Sequence, residues 1–63
     1  AEVEVHDLKV SNLVRDKSSK EIGIITDYWI GVYDEVNVIV SFLANGTQEV
    51  YWGQAETREL ELL

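Results

Sequence analysis

Three segments decide the fold: Ile22-Gly23-Ile24-Ile25-Thr26-Asp27-Tyr28-Trp29, Val36-Asn37-Val38-Ile39-Val40-Ser41-Phe42, and Thr47-Gln48-Glu49-Val50-Tyr51-Trp52, the last entered through Ala44-Asn45-Gly46. All three are rich in β-branched and aromatic residues, which suit a pleated, half-buried surface. In the second, Val36, Val38, Val40 and Phe42 share one face, and Asn37, Ile39, Ser41 and Leu43 share the other. The first face is the core. Ile39 and Leu43 leave the second more apolar than contact with water requires. Asn45-Gly46 supplies the positive φ that a tight hairpin turn needs. In the third segment, hydropathy selects Val50 and Trp52 as core and turns Tyr51 outward. Tyr28 and Trp29 are neighbours on a strand, so they point to opposite faces.

The flanks extend this pattern. Ala1-Glu2-Val3-Glu4-Val5 alternates apolar and polar, as an edge strand would, and residues 1–7 are read as an additional edge strand or a tail. Ser11-Asn12 favours a local turn between Leu8-Lys9-Val10 and Leu13-Val14-Arg15. Asp16 to Lys20 is a polar loop. Gly23, alone inside a strand pattern, signals a bulge or a close backbone approach. Ile30 to Glu35 is a connection pivoting on Gly31. Gln54 to Glu59 suits one short helical turn, and Leu60-Glu61-Leu62-Leu63 a final strand. Short strands with tight turns imply an all-β fold. At 63 residues the expected architecture is one domain, a five-stranded SH3-like small barrel.

Composition narrows the function classes. A chain of this length buries only about 60% of its unfolded surface, so disulfides, metals or association commonly support it. There is no Cys and one His, which excludes disulfides and thiolate or His-rich metal sites. Twelve acidic residues against five basic ones give a net charge of −7, which opposes non-specific attraction to nucleic acid or anionic membrane. The basic residues cluster early, at Lys9, Arg15, Lys17 and Lys20, and none falls between Glu21 and Thr57. No apolar run approaches the roughly 20 residues of a membrane span, and no signal-peptide pattern is present. A soluble, cytoplasmic protein without cofactor is expected.

Val10-Ser11-Asn12-Leu13-Val14-Arg15 followed by Ile22-Gly23-Ile24-Ile25-Thr26-Asp27 resembles the opening hairpin of SH3-like small barrels. There a V-G-D-x-V-R strand start, a polar loop and an I-G-x-I strand recur; Ser11-Asn12 here replaces the usual Gly-Asp. Small proteins of this kind occur in tailed-phage genomes and bacterial accessory genes. The KOW modules of ribosomal and transcription proteins share a similar pattern, which implies a nucleic-acid contact through Arg15, Lys17 and Lys20. Val14 to Ser19 and Ile24 to Trp29 are also similar in kind to the early strands of the plasmid-borne type II dihydrofolate reductases. In that family four barrels surround a pore where a Gln-Ile-Tyr motif contacts cofactor and folate. Glu49-Val50-Tyr51 stands at the matching place, and a ring of four Glu49 carboxylates would repel both anionic ligands.

Catalytic chemistry finds few residues. A Ser-His-Asp arrangement would need His6, and nothing places a Ser beside it; no catalytic residue is assigned. Asp34-Glu35 lacks the spaced ligands of a hard-cation loop, so no metal is expected. Glu56, Glu59 and Glu61 read as exterior charge. The aromatics are the strongest functional signal, because exposed aromatics anchor interfaces. The leading expectation is a non-enzymatic interaction or assembly module. It would bind a protein partner, or itself as a homo-oligomer, through Trp29, Tyr33, Ile39, Leu43 and Tyr51.

Overall fold

The computed structural model describes residues 8–63. The strand expected in residues 1–5, with His6 and Asp7, lies outside the described residues. In chain order the elements are β1 (Leu13–Asp16), β2 (Ile22–Ile30), β3 (Val36–Phe42), β4 (Gln48–Tyr51), the helical turn α1 (Gly53–Thr57) and β5 (Leu60–Leu62). All five strands form one antiparallel sheet in the order β4-β3-β2-β1-β5. The fold is therefore all-β. Among the described residues β4 and β5 are its two edges and do not pair with each other, so the sheet is open rather than closed.

β2 is long enough to serve both halves of the sheet because it changes register midway. Its pairing with β3 shifts between Ile25 and Asp27, leaving Thr26 as the irregular residue. Such a bulge bends a strand and increases its twist. Gly23 answers a different need. A Cβ there would fall 2.5 Å from Val40 Cγ1 and 2.7 Å from the Ser41 carbonyl oxygen, so β3 can lie this close only over a glycine. Of the two roles open to Gly23, close approach is the one found, and the bulge sits three residues later.

The turns follow their side chains. Ser11 takes a left-handed conformation, φ 80°, and Asn12 Oδ1 accepts the Lys9 amide at 2.8 Å. At the other hairpin, Phe42 N donates to Thr47 O and Gly46 N donates to Phe42 O, both at 2.8 Å. The loop is thus Leu43–Gly46, with positive φ at Gly46 alone (70°). Asn45 serves instead as an acceptor, for the Thr47 amide and hydroxyl.

The core forms on the inner face: Leu8, Val14, Ile25, Val36, Val38, Val40, Phe42, Tyr51 and Leu60. The β3 face expected to be buried is buried throughout. The β4 assignment is the reverse of the expectation. Tyr51 is 6% exposed while Trp52 is 57% exposed and Val50 faces outward. The reason is pairing parity. With Phe42 opposite Thr47, Glu49 falls opposite Val40 and Tyr51 opposite Val38, on the core side. Val50 falls opposite Ile39, on the outer side. A two-residue Asn45-Gly46 turn would have had the same parity.

Candidate functional site

The outer face of β2, β3 and β4 gathers apolar residues by register. Ile39 lies between Asp27 of β2 and Val50 of β4, and Trp29 lies opposite Asn37. Trp52, just past β4, completes the row: its ring meets Trp29 edge-on, with centroids 5.7 Å apart and planes at 85°. This is a favourable aromatic geometry. Trp29, Ile39, Val50 and Trp52 therefore form one surface with two half-buried and two exposed members.

Asn37 anchors one end of this surface. It is 1% exposed although it lies on the outer face. Its Oδ1 accepts the Gly53 amide at 2.8 Å, and its Nδ2 donates to Glu35 Oε2 at 3.3 Å. Glu35 Oε1 in turn accepts the Tyr33 amide at 2.9 Å. Its own backbone amide, then Asn37, then Tyr33 hold the Glu35 carboxyl below its usual value against a smaller opposing effect of burial. Glu35 thus ties the β2–β3 loop to Asn37, which holds the start of α1, while Asp34 beside it is exposed. Glu56 is likewise more than exterior charge. Its Oε1 accepts the Trp52 amide at 2.8 Å, satisfying a donor that the first turn of α1 leaves open.

A groove of about 380 Å³ lies beside the Trp52 edge, lined by Asp16, Glu49, Val50, Tyr51, Trp52, Ala55, Glu56 and Glu59. At its floor the Tyr51 hydroxyl donates to Asp16 Oδ2 at 2.6 Å. Burial of Asp16 alone would raise its pKa; the Tyr51 hydroxyl and the Ser19 and Ser18 amides outweigh it and hold the carboxyl below its usual value. Burial, then the Asp16 bond and charge, push the Tyr51 hydroxyl far above the ordinary phenol range. At neutral pH the pair is a carboxylate held by a neutral phenol.

Of the five residues expected to bind a partner, two come together here, Trp29 and Ile39. Tyr33 stands at the β2–β3 loop, 89% exposed. Leu43 is exposed past the far end of β3, its amide donating to Ile22 O, away from the Trp pair. Tyr51 is inside, and the expectation of an exposed Tyr51 is corrected. Val50 and Trp52 are the members that hydropathy concealed; hairpin parity was the signal that could have found them. Tyr28 and Trp29 do take opposite faces, beside Val38 and Asn37 respectively.

Lys9 precedes the β1–β2 hairpin and Arg58 follows α1, while Arg15, Lys17 and Lys20 lie in the hairpin. Arg15 is on its outer face, donating to Glu61 Oε1 at 3.3 Å, so Glu61 too has a structural partner. The Lys17 amide donates to Glu59 O, and Lys20 closes the loop on Asp16 O with φ 68°. Among the described residues no cluster of metal-binding side chains occurs and no helix is long and apolar enough to cross a membrane. No family model, curated protein or solved structure matches the chain.

Proposed function

We propose that this chain is a non-enzymatic interaction module that docks protein through the Trp29–Ile39–Val50–Trp52 face of an SH3-like barrel. The strand order supports the barrel reading: β4 and β5, the edges of the sheet, are joined by a single helical turn, and β2 bends at Thr26 to serve both halves. The observation that carries the functional reading is the Trp29–Trp52 pair set on an outer sheet face beside Val50 and Ile39. Packing on Trp29 still leaves Trp52 57% exposed, and interface centres are enriched in this residue. The nucleic-acid reading is less well supported, because Arg15 already has Glu61 as partner and the net charge is −7. The reductase reading is less well supported too, because the Tyr51 hydroxyl is committed to Asp16.

A photo-crosslinking residue at position 50 tests the proposal in the source cells. A discrete protein adduct is expected, lost when Ile39→Ser is added. Absence of any protein adduct, or an adduct to nucleic acid alone, would remove it.

A further inference from the structure

Resting on that reading, we infer that the partner presents an extended segment in which Lys or Arg alternates with apolar residues, added as a further strand along the edge of β4 that is open among the described residues. Three features of the edge converge on this occupant.

The first is the backbone. Among the described residues β4 has one sheet neighbour, β3. Phe42 N donates to Thr47 O, so by antiparallel alternation the Glu49 and Tyr51 backbone groups face β3, and those of Gln48 and Val50 point to the open side. An extended peptide can bond to such an edge.

The second is the division of side chains across the edge. The outer side carries Val50, with Ile39 and Trp52 beside it. The inner side carries Glu49 and the groove reaching Asp16, Glu56 and Glu59. An added strand sends alternate side chains to opposite faces. Its apolar residues would lie over Val50 and Trp52, and the residues between them would enter a groove walled by carboxylates.

The third is charge. No Lys or Arg occurs from Glu21 to Thr57, a span that includes Trp29, Ile39, Val50 and Trp52. Asp27, paired opposite Ile39, adds to the negative rim. A second copy of the chain would bring the same sign to the same edge, and nucleic acid would bring more of it. A cationic side chain in the groove gains its carboxylates, while the apolar side chains between meet Val50 and Trp52 on the other face.

The probe is a short capped peptide of alternating Lys and Leu, compared with its alternating Gln-Leu counterpart and with a Lys-Lys-Leu-Leu peptide of the same composition. NMR titration follows the Trp52 indole N–H and the Gln48 and Val50 amides. The alternating Lys-Leu peptide is expected to shift all three and to bind about tenfold more tightly than either control. Its affinity should fall roughly tenfold between about 0.05 and 0.3 M salt. Glu49→Lys should weaken it about tenfold. Trp52→Ala, at an exposed site, should do so with the fold retained. Equal binding of the Gln-Leu peptide would overturn the inference while leaving the docking face intact. Equal binding of the blocked peptide would overturn the strand geometry. No binding by any probe, or a dimer in sedimentation that Trp52→Ala dissolves, would overturn it as well. A missing protein adduct in the crosslinking experiment removes the docking reading itself.

Discussion

Tyr51 shows how a polar atom can select an orientation that hydropathy does not. Its ring adds to the core and its hydroxyl reaches Asp16 at 2.6 Å. Val50 carries no hydrogen-bonding side-chain atom, so facing outward leaves no polar group unpaired. The Asp16–Tyr51 bond makes a pH prediction. Asp16 has its pKa lowered from 3.8 in the folded chain, so its stabilising contribution is fully present above that value. It is lost as pH falls through the lower folded value. Tyr51 is raised from 10.0, so its contribution is present below that value and is lost as pH rises, when only the unfolded chain ionises it. Tyr51→Phe is therefore expected to cost about 1 kcal/mol at neutral pH in urea denaturation, a low figure because Asp16 is partly solvated. The difference from wild type should shrink both below about pH 4 and above about pH 10. A difference that does not vary with pH would mean that the ionised Asp16 partner does not carry the hydroxyl's contribution.

At the scale of elements, α1 is too short to be stable alone and is held at its first residue. Asn37 reaches from β3 to accept the Gly53 amide, while Glu56 accepts the Trp52 amide. Asn37→Ala should leave that part-buried amide without its partner and cost about 1 kcal/mol. The loss should appear in hydrogen exchange as early opening of α1 and β5 while β2 and β3 stay protected; uniform loss across the sheet would refute a local tie. The strands themselves were legible from residues. The β3 core face, the short helix after Gly53, the turn at Ser11-Asn12 and the final strand all follow from period and turn chemistry. The orientation of β4 was not read correctly, because Val50 and Trp52 compete with Tyr51 on hydropathy. Only the pairing of Phe42 with Thr47 settles that competition. The buried role of Asn37 was also hidden, since alternation alone places it outside.

For the whole molecule, charge and exposed apolar surface pull in opposite directions. Eleven large apolar residues are exposed among those described, Val32 at 91% the most, and the net charge of −7 opposes association of such surfaces between like molecules. Self-repulsion also acts within the chain. Raising salt from about 0.05 to about 0.5 M should screen it and lift Tm by a few degrees. A falling Tm in calorimetry would mean that attractive pairs such as Arg15–Glu61 dominate instead.

The sequence by itself determined the all-β class, the strand positions, the core face of β3 and the acidic, cysteine-free character, because each depends on local period or simple composition. The tertiary structure decided which residues stand together. Trp29 and Trp52 are far apart in the chain and meet only through the shared pairing of β2 and β4 with β3. Tyr51 finds Asp16 only because β1 and β4 bring their inner faces to one floor. Neither meeting is written in a local pattern, since a contact across a sheet depends on register, and register is a property of strands after they pair.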